Sequence, residues 1–284
     1  MKKQVPIGEP KTEMSFLDHL EELRWHLIRS TIAVVVIGIA AFIAKGFIFD
    51  GIIFWPKDAN FPTYRFLCSS AQLIGLDSFC FSEMPFSIQS RTMAGQFSAH
   101  IWTSITAGVI VAFPYIIYEF WKFVSPGMHN NERNTSKGFI FAASFLFFTG
   151  VLFGYFIVTP LSINFLGNYQ VSETVLNEFD LDSYISTIRA SVLASGVIFE
   201  LPIIIYFLTK IGLVTPAFMR KYRKFALVIV LILSAVITPP DIASQVIVAV
   251  PVLILYEVSI FISRAVIRNQ EKAAKKAAKK TAKS

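Results

Sequence analysis

Two carboxylates carry the most specific chemistry in this sequence. Glu22 lies in SFLDHLEELRWHLIRS, residues 15–30, where seven of sixteen side chains are ionisable, and the next fourteen residues, TIAVVVIGIAAFIA, have none. Glu132 lies in FWKFVSPGMHNNERN, residues 120–134, beyond a Ser125-Pro126-Gly127 turn. Both fall at the edge of apolar runs, on the same face of any membrane those runs would cross. Anionic groups in such a low-dielectric rim favour cations. Two guanidinium groups on one ligand would satisfy them bidentately, each charged hydrogen bond contributing about 1.5–3 kcal/mol.

Residues 15–30 alone read more plainly. Ser15 caps a helix, with Asp18 three residues on as an approximate capping box. Leu17, Leu20, Leu23 or Arg24, Leu27 and Ile28 follow a helical period, and Asp18, Glu22, His26 and Arg29 share the other face. This predicts a solvated polar face in which His26 partly neutralises Glu22 at i+4, an effect of only a few tenths of a kcal/mol.

Glu200, in SGVIFELPIII, is mid-span. A charge at the bilayer centre costs about 2.5–3.5 kcal/mol or more, so this residue must be protonated, paired or facing a wet cavity. It reads as a docking point for another helix or a proton site; a hydrogen bond inside the bundle is the plainer alternative. Pro202 weakens the helix beside it. Arg189 lies three turns earlier on the same face, but about 16 Å away along the axis. It is expected to snorkel outward or bond a loop. Glu257 falls nearer an end of its span.

These residues need elements to hold them. The 284 residues are 54% hydrophobic and 16% charged, whereas a soluble domain carries about 25% charged; lipid is the expected solvent. A helix needs ~20 apolar residues to cross ~30 Å of hydrocarbon. The expected fold is all-α and polytopic, with six spans at about 27–44, 97–121, 138–158, 186–209, 225–237 and 242–262. The fifth is short, at about 20 Å, which implies either shielding by neighbours or local thinning of the bilayer. Residues 1–26 form an amphipathic N-terminal segment, 27–263 the membrane domain, 45–96 an outer cap of short helices, and 264–284 a basic tail. No cleavable leader is expected, because residues 1–24 are polar.

All but five of the 26 basic residues (Lys45, Lys57, Arg65, Arg91 and Arg189) fall on the side that holds both termini. That side should be cytoplasmic, in a cell inner membrane. The tail KAAKKAAKKTAKS suits an anionic lipid surface rather than nucleic acid, since no groove-reading or base-stacking module accompanies it. Cys68 and Cys80, the only cysteines, share the outer loop. An oxidising compartment permits a disulfide there, with free thiols as the alternative. Ligand spacing for a metal is missing, and no cofactor is expected. P-loop, GxSxG and HExxH motifs are absent, and no span holds an aspartate pair, so an enzyme is not expected.

HLEELR at 19–24, FWKFVSPGMHNNER at 120–133, FGYFIVTPLSINFL at 153–166, SGVIFELP at 195–202 and ITPPDIASQ at 237–245 together resemble the TatC family, the multispanning receptor of twin-arginine protein export. The resemblance runs from about residue 15 to 265. It implies a signal-peptide receptor and core translocase subunit driven by the proton gradient. It also implies that Glu22 and Glu132 recognise the paired arginines, with Phe123, Leu20 and Arg24 in the same site. Glu200 would contact single-span partners of the TatA and TatB type, and Pro56, Asp241, Gln245 and Glu257 would support the frame. Homo-oligomers are compatible with this reading. The long outer loop with its cysteine pair, the extended lysine tail and Arg189 depart from the family pattern. The chief rival is a proton-coupled secondary transporter using Glu200, which would show an internal repeat; a structural scaffold is a third reading.

Overall fold

The computed structural model describes residues 16–72, 86–124, 136–172, 174–238 and 241–281. In chain order the helices are α1 (Phe16–Ile43), α2 (Lys45–Ile48), a π-helical turn (Phe49–Ile53), a 3₁₀ turn (Trp55–Lys57), α3 (Pro62–Gln72), α4 (Gly95–Val124), α5 (Ser136–Phe153), a π turn (Gly154–Val158), α6 (Thr159–Asn168), α7 (Leu181–Phe199), α8 (Leu201–Lys210), α9 (Pro216–Lys221), α10 (Arg223–Ile237) and α11 (Ile242–Thr281). Among the described residues, five helical stretches are long and apolar enough to cross a membrane: residues 20–43, 95–124, 138–168, 181–210 and 244–272. The remaining expected span, the short fifth, corresponds to α10, whose 15 residues rise only about 22 Å.

The fold is not purely helical. Ser87–Gln89 (β1) and Glu178–Asp180 (β2) form a parallel pair with Ile88 opposite Phe179. Two loops at the cap end thereby satisfy each other's backbone groups, which cannot be left unpaired.

Glycine sets the distance between neighbouring helices. α1 lies on α4 where Gly38 meets Gly108; a Cβ on Gly108 would sit 2.5 Å from the Val34 carbonyl oxygen. α5 and the π turn after it lie on α7 through Gly150 and Gly154, spaced four apart; their Cβ atoms would meet the Ser195 and Ser191 carbonyl oxygens at 2.6 and 2.7 Å. Close approach of this kind holds helices together in lipid, where no hydrophobic force joins them. A paired substitution tests it. Gly150→Ala is expected to lower stability by about 1–3 kcal/mol through overpacking. Gly138→Ala, whose Cβ meets nothing within 4 Å, is expected to be neutral or to gain up to ~1 kcal/mol of helix propensity. Unfolding in detergent should separate the two variants, with Gly150→Ala less stable than the parent and Gly138→Ala equal to it or more stable.

The cap rests on α6 through a gap left by proline. Pro160 has no N–H and its ring disrupts the bond to the carbonyl four residues back. That carbonyl, on Phe156, accepts the Thr63 hydroxyl instead. Tyr64 donates to the carbonyls of Pro160 at 3.0 Å and Pro56 at 3.1 Å. Burial pushes the Tyr64 hydroxyl well above the usual phenol range, so it stays a donor. Phe61, fully buried, packs edge-on to Trp55 and stacks on Phe156. Cys68 in α3 is disulfide-bonded; Cys80 lies outside the described residues.

Candidate functional site

On the polar face of α1, Glu22 is half-buried and His26 buried, while Arg29 is exposed. The apolar stripe points outward, with Leu20 at 44%, Leu27 at 59% and Ile32 at 56% exposure, while His26 is buried against α4. The expectation of a wet polar face is therefore overturned at His26 and holds at Arg29. In lipid the apolar side chains are the ones that face the solvent, and the polar ones must find partners within the protein.

The partner of His26 is Glu119, 93 residues away, not Glu22. His26 Nδ1 lies 2.5 Å from Glu119 Oε2. Glu119 is only 2% exposed. It also accepts the Tyr115 hydroxyl one turn earlier, with Arg29 Nη1 at 3.8 Å and Lys122 Nζ at 3.9 Å. Lys122 in turn sits 4.3 Å over the Tyr118 ring. One buried carboxylate thus gathers three basic side chains and a hydroxyl, and clasps α1 to α4 at the ends that carry HLEELR and FWKF. At the other end of the same helix pair, His100 bonds the Phe42 carbonyl at 3.0 Å and stacks on its ring. Sequence reasoning missed Glu119 because it falls just beyond an uncharged run. The signal was its spacing, four residues after Tyr115 and three before Lys122.

Glu22 lies one turn before His26 on the same face. It is half-buried, and its Oε2 is enclosed without a hydrogen-bond partner among the described residues. The Phe123 ring packs edge-on to His26 at 6.2 Å. His26 therefore has Glu22 a turn behind it and Phe123 beside it, an anionic group and an aromatic ring at one corner of the seam. Leu20 and Arg24, each two residues from Glu22, sit about 200° round the helix and are exposed. With Leu27 and Ile32 they line a shallow groove of about 430 Å³. Glu132 lies outside the described residues.

Glu200 occupies the break between α7 and α8. Its N–H bonds the Val197 carbonyl in a tight turn, and Ile203 and Ile204 return bonds to its own carbonyl. It is 8% exposed, and its Oε1 has no hydrogen-bond partner among the described residues. Arg189 does not pair with it. The guanidinium turns the other way, with Nη2 3.7 Å from Asp182 Oδ1.

The family model for TatC, described as Sec-independent protein translocase protein, matches residues 18–251. The chain belongs to the TatC family. A TatC of Blattabacterium sp. subsp. Periplaneta americana is 46% identical over 255 residues, 89% of this chain and 96% of that one. A TatC of Aquifex aeolicus is 34% identical, over 91% of this chain and 98% of that one. Two crystal structures described as the twin arginine translocase receptor TatC, one of them in DDM, are 30% and 32% identical. They cover 88% and 86% of this chain and 99% of their own, with TM-scores of 0.64 and 0.67. The chain is thus a multi-pass membrane subunit of a Sec-independent protein translocase.

Within this TatC fold the remaining predicted residues are tethers. Asp241 Oδ2 accepts the Ser244 N–H at 2.8 Å and its hydroxyl at 2.7 Å, capping α11. Gln245 donates to the Leu231 carbonyl at 3.0 Å, joining α11 to α10. Glu257 bonds Arg223 at 2.7 Å across the same pair of helices. Pro56 contributes its carbonyl to Tyr64. Among the described residues no group of three or more His, Cys, Asp and Glu could hold a metal ion.

Proposed function

We propose that this TatC-family chain is the signal-peptide receptor of a twin-arginine translocase. It spans the inner membrane six times, with α10 as the short fifth span and both termini in the cytoplasm. The observation that carries the reading is Glu22, whose enclosed carboxylate oxygen has no donor among the described residues while His26, one turn on, is already committed to Glu119. An arginine pair supplies the missing donors, one guanidinium to Glu22 and one to Glu132. Phe123 meets the apolar residues that flank the pair. The buried Glu119 clasp supports this by fixing α1 against α4. The planar fork of arginine matches a carboxylate in a way that the point charge of lysine does not.

In this reading Glu200 is the contact for single-span partners of the TatA and TatB type, and the proton gradient drives transport. Self-association of the receptor belongs to the same reading, and the lysine-rich tail rests on anionic lipid. Binding of an arginine-pair leader peptide to the purified chain in lipid nanodiscs, against a lysine-pair control, is the test. The arginine form is expected to bind at least tenfold more tightly. Equal affinities would overturn the proposal.

A further inference from the structure

Arg189 is a cation in an apolar wall that neither the arginine-pair site nor the Glu200 contact uses. It lies on α7 eight residues after Leu181, about 12 Å into the helix. Its side chain is 18% exposed and turns toward the cap end, where Asp182 Oδ1 is 3.7 Å away. That distance is long for a hydrogen bond, so Asp182, itself half-exposed, balances charge but consumes no donor. Arg189 Nε is enclosed without a hydrogen-bond partner among the described residues. A guanidinium has five N–H donors, and holding it here with its donors unspent is costly.

The cavity that Arg189 borders has a volume of about 500 Å³ and is lined by Ala107, Val111, Leu152 and Val192, among other apolar side chains. Its rim includes Phe47, Val111 and Leu152, exposed by 73%, 57% and 55%. The cavity therefore opens sideways, toward the hydrocarbon that bathes such residues, rather than toward water. Three hydroxyls also line it: those of Thr106 and Tyr155 donate to the Trp102 and Ile52 carbonyls, whereas that of Thr103, 4% exposed, is enclosed and without a partner among the described residues. A largely apolar channel with a guanidinium at its headgroup end and, in its wall, a hydroxyl without a partner among the described residues fits an amphiphile with an anionic head, an ester and a hydrocarbon tail.

We infer that this cavity binds one glycerophospholipid of the cap-side leaflet, its phosphate on Arg189, an ester carbonyl on the Thr103 hydroxyl and an acyl chain along the groove. Guanidinium matches phosphate oxygens bidentately. A peptide carboxylate would satisfy Arg189 equally, but it leaves the groove to be filled by a helix, for which the wall offers no further polar contact.

The test uses the full chain in nanodiscs doped with phosphatidylglycerol or phosphatidylethanolamine carrying a photoreactive group on the acyl chain. Labelled peptides are mapped by mass spectrometry, which separates this cavity from lipid held by the basic tail. Labelling of α4 around Ala107 and of α7 around Val192 is expected with both lipids. Arg189→Gln should lower it at least tenfold, and Arg189→Lys by less. Val192→Trp, which fills the groove without touching the cation, should lower it as well. Melting of each variant in lipid-free detergent verifies folding. Labelling that Arg189→Gln leaves unchanged would overturn the inference. So would labelling that only a carboxylate-bearing helix, and no phospholipid, can displace.

Discussion

A chain carrying Glu22→Ala and Glu132→Ala together is expected to fold as the parent does and to bind an arginine-pair leader peptide at least a hundredfold more weakly. Each charged hydrogen bond contributes about 1.5–3 kcal/mol, and 1.4 kcal/mol is a factor of ten in affinity; losing one carboxylate should cost tenfold or more, and losing both should cost the product. Glu22 is half-buried and its Oε2 has no described partner, so alanine removes no hydrogen bond within the fold at that atom. Stability should change little while binding collapses. Fluorescence anisotropy with a labelled peptide gives the affinity, and crosslinking from a photoreactive residue at position 123 reports whether the peptide still reaches the seam. Affinity for a lysine-pair control should hardly move. A double variant that binds the arginine pair as well as the parent does would remove these two residues from the site.

The second large effect is expected at Glu119. Glu119→Ala should destabilise the chain by roughly 3–5 kcal/mol, the cost of leaving a buried ionic partner uncompensated. Three basic side chains, His26, Arg29 and Lys122, lose their common anion, and Tyr115 loses an acceptor. Glu119→Leu combined with His26→Leu should recover much of that loss. The buried pair is then replaced by apolar volume, while Arg29 and Lys122 remain half-exposed. A double-mutant cycle on unfolding in detergent measures the coupling. The pattern distinguishes a clasp from a binding group. If Glu119 acted only by touching the leader peptide, the single variant would lose affinity without losing stability.

How much of this was legible beforehand depended on range along the chain. The membrane setting, the five long apolar helices found among the described residues, and the motifs that identify the family are local properties of composition and period, and they could be read directly. The break at Glu200-Leu201-Pro202 was legible for the same reason, since proline acts on its own helix. The cap helices were expected from the apolar character of their loop. The β1–β2 pair was not, because its strands are three residues each and pair across about ninety positions. The Thr63 bond to Phe156 is of the same kind: Pro160 predicts a free carbonyl, but not the side chain that takes it.

The sequence by itself determined the solvent, the helices and the family, because hydrophobicity and helical period act within one segment. Only the tertiary structure decided which face of α1 is inside, that His26 serves Glu119 and leaves Glu22 Oε2 without a partner among the described residues, and that Arg189 turns to Asp182 and not to Glu200. Those outcomes depend on how two helices approach, and the approach is set by contacts such as Gly38 on Gly108, between residues seventy positions apart. Lipid makes the choice decisive. A polar group that fails to find a protein partner has no water to turn to, so each close contact between helices fixes which groups are satisfied and which are left open for a ligand.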